Sequence, residues 1–277
     1  MSVKKYTDAE IRLIAKDIRK KSIEMVYSAS SGHPGGSLSI ADILAVLYFR
    51  EMNVNPENPV DPDRDLLVMS KGHASPALYA TLSLRGFFPT TLLPGFRKIS
   101  SKLEGHVHFG VPGVEASTGS LGQGLGIAVG MAIASKLDSK KNRVYAIIGD
   151  GEIEEGSIWE SFMAASKYRL DNLTVIIDRN GVQLDGFTDQ IMPLPNIPER
   201  LRAFGWNVIE IDGHNIAEIT ASLKKARETK GVPTFIYART VKGKGVSYME
   251  NNPKYHGSPP GSEDLYQQAL MELEAGA

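Results

Sequence analysis

Segments rich in β-branched residues alternate with segments of helical periodicity through the second half of the chain, and this alternation restricts the fold more than any other feature. The predicted strands are VYAII from Val144, LTVIID from Leu173, NVIEID from Asn207 and TFIYAR from Thr234. Parallel strands need long crossovers between them, usually helices. We therefore predict an α/β fold with a doubly wound, mainly parallel sheet and helices on both faces.

The first half of the chain is predicted to add helices and one short strand. A capping box formed by Thr7 and Glu10 begins a helix that runs to about Ser28. The other predicted elements are a buried apolar helix with the sequence ADILAVLYF, a strand over 66–69, a helix over 74–84, a loop to about 114, a Gly-rich helix over 119–137, a helix over 153–167 and a loop to 198. The last part is predicted to hold a helix capped by Asn215 and a final amphipathic helix.

Size and composition limit the classes of function. A chain of 277 residues with 42% hydrophobic residues suits one large domain, which we expect to span residues 1–277. The formal charge of −1 gives no electrostatic reason to expect nucleic acid or a membrane as partner. The chain has no cysteine, which excludes disulfides and thiolate ligands, and no secretory signal is recognisable. We expect a cytoplasmic protein.

Polar residues follow two neighbouring predicted strands. VYAII leads into Gly149-Asp150-Gly151, and LTVIID leads into Arg179-Asn180-Gly181-Val182. Ligands gather at the carboxyl ends of parallel strands, so Asp150 and Asn180 can converge there. Their side-chain oxygens and the Val182 carbonyl form half a shell of hard ligands for Mg²⁺ or Ca²⁺, and phosphate oxygens commonly complete such a shell. The site thus implies a bound diphosphate, which Gly151 allows to approach closely.

A Gly-rich segment is compatible with the same ligand. Gly119, Ser120 and Leu121 begin the predicted Gly-rich helix, and exposed N–H groups at the start of a helix attract phosphate oxygens. The glycines equally fit a helix that packs closely on the sheet, so this segment alone leaves both interpretations open.

Four of the six histidines lie beside glycine in non-periodic segments: His33, His73, His106 and His256. A lone histidine is usually structural, but a set in such segments favours a pocket lined with imidazoles that bind hydroxyls and move protons. Zinc is disfavoured because close ligand spacing occurs only between His106 and His108. We interpret His108 and His214 as structural.

Taken together, these segments resemble the N-terminal, diphosphate-binding domain of transketolases. The matching pieces follow the family's order over nearly the whole chain: SGHPGGSLSIADILAVLYF, SKGHASPALYA, EGHV, ASTGSLGQGLG, GDGEIEEGSIWE with the later Asn-Gly, DGHN, and VKGKG followed by HGSPP. The resemblance implies the thiamin diphosphate-binding fold, with thiamin diphosphate and Mg²⁺ or Ca²⁺ as cofactors.

The resemblance also implies roles for individual residues. The implied metal ligands are Asp150, Asn180 and the carbonyl of Val182. The implied contacts of thiamin diphosphate are His73, Gly119, Ser120, Leu121, Asp150, Gly151, Glu152, Asn180, Lys242 and His256. The implied catalytic imidazoles are His33, His73, His106 and His256, and Glu155 resembles an acid that joins a carboxylate network between subunits. Glu152 and Glu155 also fit as acids at a helix start, and Lys242 fits as a solvated loop charge.

The sequence departs from the family pattern at two residues and in its length, and the difference in length determines which function we expect. Val107 and Ser120 stand where proline is common in the family, and the chain ends at Ala277 without the pyrimidine-binding and C-terminal domains. The resemblance therefore implies the N-terminal subunit of a split transketolase of the pentose phosphate pathway. Such a subunit would transfer a two-carbon ketol unit from a ketose phosphate to an aldose phosphate. It would do so only with a separate C-terminal subunit, in an assembly of two of each chain. The alternatives are another thiamin-dependent ketol or acyl transferase, and a non-catalytic cofactor-binding module.

Overall fold

The protein is described by a computed structural model that covers residues 6–276, and its centre is a five-stranded parallel sheet. The strands of the chain are β1 Leu66–Met69, β2 Val144–Gly149, β3 Leu173–Arg179, β4 Val182–Gln183, β5 Gly186–Phe187, β6 Asn207–Asp212 and β7 Thr234–Arg239. The central sheet has the order β1-β2-β3-β7-β6, and β4 pairs with β5 as a small antiparallel hairpin. The predicted doubly wound parallel sheet is confirmed.

Ten α-helices lie within the described part of the chain. They are α1 Asp8–Ser28, α2 Pro34–Leu38, α3 Ala41–Val46, α4 Ser75–Arg85, α5 Gln123–Leu137, α6 Gly156–Lys167, α7 Thr188–Ile191, α8 Ile197–Ala203, α9 Ile216–Glu228 and α10 Glu263–Ala275. A π-helical turn over Leu47–Glu51 extends α3. No helix within residues 6–276 is long and apolar enough to cross a membrane.

Each face of the sheet is covered by its own apolar core. On β2, Tyr145 and Ile147 pack into the core that includes α1, α3, α4 and α9. Val144, Ala146 and Ile148 of the same strand pack into the opposite core, with α5, α6 and α8. Burying each of the large side chains contributes about 1.5–3 kcal/mol. A strand that is buried on both faces reads as a continuous apolar run, which explains the sequence of β2.

The direction of winding reverses between β3 and β7. In the chain, α5 precedes β2, α6 connects β2 to β3, and α8 lies between β3 and β6. These three helices pack on one face of the sheet, whereas α9, which connects β6 to β7, packs on the other. After β7 the chain leads to α10, which packs against α1. The segments that follow β3 and β7 therefore leave the sheet toward opposite faces, and the crevice at such a reversal is the usual ligand site of an open parallel sheet.

Three local expectations are corrected. The Gly-rich helix begins at Gln123 rather than at residue 119, because Gly122 adopts a left-handed conformation with φ +88° and serves as the N-cap. The following helix begins at Gly156, since Glu152–Glu154 forms a 3₁₀ turn. The segment predicted as a loop contains the β4–β5 hairpin and α7, elements too short to give a periodic pattern. The capping box at Thr7 and Glu10 is confirmed.

His214 has structural contacts. Its Nδ1 lies 2.8 Å from Oδ2 of Asp42, and its Nε2 accepts a hydrogen bond from the backbone N–H of Val241. Asp42 also accepts hydrogen bonds from Arg19 of α1. Burial works to raise the pKa of Asp42, but Arg19 and His214 lower it to about 2. The ionised carboxylate thus links α1 and α3 to the turn after β6, and His214 extends this link to the segment after β7, on the side of the sheet opposite to α5.

Candidate active site

A cavity of about 390 Å³ opens at the carboxyl ends of β2 and β3. Thirteen residues predicted from the sequence line this cavity: His33, His73, His106, Gly119, Leu121, Asp150, Gly151, Glu152, Glu155, Asn180, Val182, Lys242 and His256. Ser120 is not among the lining residues, and His108 also lies outside the cavity, where its Nε2 is 3.7 Å from a carboxylate oxygen of Glu104. The site therefore assembles residues from segments that are far apart in the sequence.

Asp150 and the turn after β3 meet directly. Oδ2 of Asp150 accepts a hydrogen bond from the backbone N–H of Gly181, and Oδ1 accepts one from Gly151. Asn180 donates from Nδ2 to Asp178, and its Oδ1 accepts from the N–H of Val182 at 3.1 Å. The two predicted ligand residues, at the ends of β2 and β3, are thus held in one hydrogen-bonded unit.

A buried ion pair, which the sequence analysis missed, supports this unit. Lys71 and Asp178 are 1% and 0% exposed, and the Lys71 ammonium contacts Oδ2 of Asp178. Oδ2 also accepts hydrogen bonds from Ser39 and from Asn180, and Oδ1 accepts one from Thr240. Burial works to raise the pKa of Asp178, but Lys71, Thr240 and Ser39 lower it overall. The one available signal was an aspartate at the end of an otherwise apolar strand.

Lys242 is a second buried cation of the cavity. It is only 2% exposed, so its interpretation as a solvated loop charge is wrong. Its Nζ donates to the Val182 carbonyl at 2.7 Å and lies 2.7 Å from Nδ1 of His256. Burial and the neighbouring Lys71 lower the pKa of Lys242 to about 8. The lysine therefore presents a positive charge at the carbonyl that was predicted to bind a metal.

The donor set fits a hard divalent cation together with phosphate. Burial raises the pKa of Asp150, and the nearby Asp178 carboxylate adds to this effect, so a cation beside Asp150 would stabilise its charged form. Within residues 6–276 no group of three or more His, Asp or Glu side chains can hold a metal by itself. One carboxylate, one amide oxygen and one carbonyl leave coordination positions for phosphate oxygens, as Mg²⁺ sites commonly do.

The Glu152 carboxylate connects the Gly-rich turn to the ends of β1 and β2 through hydrogen bonds. Its Oε1 accepts hydrogen bonds from the Ser70 hydroxyl and from the N–H of Gly122, and its Oε2 accepts from Gly149. A Cβ atom on Gly122 would lie 2.6 Å from Oγ of Ser157, and the left-handed φ also requires glycine. The cap N–H of α5 is therefore bonded to Glu152, not free for phosphate as the Gly-rich start suggested.

Two further glutamates line the opening of the cavity. Glu155 is exposed and is the N-cap residue of α6, but its side chain makes no capping hydrogen bond. Glu154 accepts a hydrogen bond from Gln183 of the β4–β5 hairpin at 2.7 Å. Burial raises the pKa of Glu154 despite this bond. Gly151 lies under the same hairpin, since a Cβ there would come within 3.0 Å of Cβ of Gln183.

The four predicted histidines form one cluster. The ring centroid of His33 lies 5.3 Å from that of His73 and 5.7 Å from those of His106 and His256, and the rings of His73 and His256 are 5.1 Å apart. Burial, helped by neighbouring cations, lowers the pKa of His33 to about 4 and that of His256 to about 3. The pKa values of His73 and His106 are also lowered by burial. All four imidazoles are therefore neutral at pH 7.

The fold and this cavity together define an α/β domain with a ligand site at the carboxyl ends of its central strands. The sequence matches the family model described as "Transketolase, thiamine diphosphate binding domain" over residues 11–271. The chain belongs to the transketolase family.

Similar proteins include separate subunits and longer enzymes. The chain is 46% identical over 261 residues to the 6-deoxy-6-sulfo-D-fructose transketolase subunit SqwG of a Clostridium species, with 94% of each chain covered. It is 43% identical to an apulose-4-phosphate transketolase subunit of Phocaeicola vulgatus, covering 95% of this chain and 93% of that one. Human transketolase is 40% identical over 260 residues, of which the match covers 94% of this chain and 41% of the human protein.

Solved transketolases have the same fold. The crystal structure of the Campylobacter jejuni enzyme superimposes with a TM-score of 0.92 at 35% identity, covering 97% of this chain and 43% of that enzyme. The chain thus spans about two fifths of the length of the solved transketolases but nearly all of the relatives named as subunits. These comparisons confirm the prediction of an N-terminal subunit of a split transketolase.

Removing Lys71 should destabilise the protein strongly. Lys71→Met leaves the Asp178 carboxylate buried without its ion-pair partner, which should lower the free energy of unfolding by about 3–5 kcal/mol in urea denaturation. The double variant Lys71→Met with Asp178→Asn should lose less than the sum of the two single variants. As a control, Lys224→Met removes an exposed partner of Glu228 and should cost less than about 0.5 kcal/mol. A similarly small loss of unfolding free energy for Lys71→Met would contradict the conclusion that Lys71 is the buried ion-pair partner of Asp178.

The neutral histidines of the cavity should make the free energy of unfolding fall in mild acid. The folded pKa of His33 is about 4, below the value of about 6.5 in the unfolded chain. The unfolded chain therefore binds more protons in this window, and the stabilising contribution present above pH 6.5 is lost as the pH falls toward 4. In urea denaturation at pH 7 and pH 5, His33→Gln should lose less stability between the two pH values than the unchanged protein. Equal pH dependence of the two proteins would contradict the neutral state of His33.

Proposed function

We propose that the chain binds thiamin diphosphate and Mg²⁺ in the cavity at β2 and β3. In a complex with a separate C-terminal subunit, it would transfer a two-carbon ketol unit from a ketose phosphate to an aldose phosphate. The single observation that carries this proposal is the hydrogen-bonded unit of Asp150 and the Asn180–Val182 turn beside four neutral histidines. We further propose that the protein acts in the cytoplasm, in the pentose phosphate pathway, as one diphosphate-binding domain over residues 1–277.

The metal and the diphosphate would be held by complementary groups. Asp150, Asn180 and the Val182 carbonyl are proposed as the metal ligands, with Ca²⁺ as an alternative ion of the same hard character. The ammonium of Lys242 already lies at the Val182 carbonyl and is proposed to contact a phosphate oxygen. Gly119, Leu121 and Gly151, which line the cavity, would approach the ligand through their backbone, and Glu152 would act by fixing the Gly122 N–H and hence this turn.

The histidines are proposed to bind the sugar and to move its protons. Thiamin diphosphate, when bound, supplies the nucleophilic carbon and the electron sink that cleavage of a ketose requires. Each neutral imidazole of His33, His73, His106 and His256 has one donor and one acceptor nitrogen, so it can take a proton from a hydroxyl and return it. Nδ1 of His33 is buried without a hydrogen-bond partner among the described residues, and a buried polar atom of this kind favours a ligand contact.

The partner subunit is proposed to supply the pyrimidine-binding and C-terminal domains, in an assembly of two of each chain. Exposed apolar side chains lie on the hairpin beside the cavity and on α7, which follows it: Leu184, Phe187, Ile191 and Met192. Contiguous exposed apolar surface is typical of a protein interface. The exposed Glu155 lies at the same opening and is proposed to join a carboxylate network across that interface.

Reconstitution tests the proposed function. The chain alone should not turn over xylulose 5-phosphate with ribose 5-phosphate, whereas the chain mixed with its C-terminal subunit should. In the complex, Asp150→Asn should weaken binding of thiamin diphosphate with Mg²⁺ more than tenfold in calorimetry, since it removes the one charged metal ligand. Both Asp150 and Asp189 form ion pairs with Arg179, and the Asp189 carboxylate is exposed, so Asp189→Asn is the matched control.

Three outcomes would contradict the proposal or one part of it. Full turnover by the lone chain would refute the need for a partner subunit. A complex that binds the cofactor but is inert toward sugar phosphates would favour a non-catalytic module. Turnover restricted to other donors would indicate a different thiamin-dependent ketol or acyl transferase.

A further inference from the structure

His214 lies outside the active-site cavity, yet it contacts the chain directly before a residue that lines it. That residue is Lys242, in the segment after β7, and the backbone N–H of the preceding Val241 donates a hydrogen bond of 2.9 Å to Nε2 of His214. His214 is in the turn between β6 and α9. This turn is bonded to the end of β7, since the N–H of Gly213 donates to the Arg239 carbonyl at 2.7 Å. The imidazole is therefore connected to the lysine through the backbone of a single residue.

The imidazole of His214 is fixed in orientation and in tautomer. A backbone N–H can only donate, so Nε2 must accept from Val241 and the ring proton must be on Nδ1. There it donates to Oδ2 of Asp42, 2.8 Å away. Asp42 is in turn bound by the guanidinium of Arg19, which also donates to the Leu38 carbonyl. A carboxylate behind an imidazole determines which ring nitrogen remains an acceptor, so Asp42 prepares His214 for its bond to the backbone.

The bond to His214 fixes the middle of the segment after β7. On one side, a Cβ atom on Gly213 would lie 2.5 Å from Cγ2 of Thr240, so a side chain there would keep the turn away from the segment. On the other side, the N–H of Gly243 donates to the Gly35 carbonyl at 3.0 Å. Between these two anchoring points, the acceptor for the backbone N–H of Val241 is the imidazole.

Lys242 needs a fixed backbone for its contacts in the cavity. Its Nζ lies 2.7 Å from the Val182 carbonyl and 2.7 Å from Nδ1 of His256, at the end of a long and flexible side chain. The residue is 2% exposed, so an ammonium displaced from these partners would remain buried without them. Displacing such a group by about 1 Å can cost a large part of what it contributes to a site.

We propose that His214, oriented by Asp42, is a positioning residue for Lys242 and thereby for binding of the cofactor diphosphate. This inference rests on the proposed function, in which the Lys242 ammonium contacts a phosphate oxygen. The imidazole touches neither the cavity nor the ligand. It acts by holding the backbone from which the lysine extends, so the turn between β6 and α9 supports the cofactor site from outside the cavity.

A matched pair of substitutions tests the hydrogen bond. His214→Met and His214→Gln introduce side chains of similar size, but only the glutamine can still accept from the Val241 N–H. In the reconstituted complex, His214→Met should raise the calorimetric Kd for thiamin diphosphate with Mg²⁺ about tenfold, the size of one hydrogen bond to a charged group. His214→Gln should raise the Kd less than about threefold, since it keeps the acceptor.

A double-variant cycle tests whether the effect passes through Lys242. Lys242→Met alone should raise the Kd, and adding His214→Met to it should change the Kd less than about twofold further, because the contact that His214 positions is already lost. Asn215→Ala is the control for general destabilisation of the turn. It removes the N-cap of α9 and should lower the free energy of unfolding without raising the Kd.

Nitrogen NMR of the chain alone gives a second measurement that needs no cofactor. Nδ1 of His256 is bonded to the Lys242 ammonium, so its chemical shift should move with His214→Met and stay nearly unchanged with His214→Gln. If the unsubstituted complex does not bind thiamin diphosphate, the proposed function fails, and this shift still decides the positioning role.

Four results would overturn the proposal. They are an unchanged Kd with His214→Met, equal Kd values for the two His214 variants, the same fold increase from His214→Met with and without Lys242, and a His256 chemical shift that neither variant moves.

Discussion

The ion pair between Lys71 and Asp178 is the constraint on which the rest of the site depends. Transferring two charges into the interior costs several kcal/mol per ion, and such a pair is tolerated only where additional hydrogen bonds complete it. Here Ser39, Asn180 and Thr240 also donate to Asp178, while Lys71 donates to the Gly36 carbonyl. These contacts join the ends of β1, β3 and β7 to the segment that begins with His33. The network lies between β3 and β7, where the winding of the sheet reverses. The reversal that opens the crevice therefore also brings together the residues that support it.

From this scaffold follows the electrostatic character of the cavity. The amide of Asn180 is oriented by Asp178, which leaves its oxygen on the side of Val182. Lys242 adds a buried positive charge, and Asp150 adds a carboxylate whose pKa is raised by burial. A cavity that holds both a buried ammonium and a buried carboxylate suits a ligand that combines an anion with a cation. A diphosphate bound to magnesium is such a ligand. The neutral histidines, on the outer side, suit the uncharged hydroxyls of a sugar.

Much of this arrangement was predictable from the sequence, because strand ends in a parallel sheet converge whatever the details of packing. Asp150, Asn180, Lys242 and the four histidines were all identified in this way or by family resemblance, and all of them line one cavity. Lys71 and Asp178 were not identified, since their pairing joins positions far apart in the chain and no local pattern records it. The start of α5 was misplaced for a similar reason: the left-handed Gly122 is fixed by Ser157 and Glu152, which belong to a later segment.

The central claim is that a divalent cation joins the ends of β2 and β3 to a diphosphate. A crystal of the protein grown with thiamin diphosphate and Mn²⁺ in place of Mg²⁺, with anomalous diffraction recorded at the manganese edge, tests it most directly. The account predicts one strong peak within coordination distance of Asp150, of the Asn180 amide oxygen and of the Val182 carbonyl, with diphosphate density beside it. A peak elsewhere, or ordered diphosphate density with no cation at these three oxygens, would contradict it.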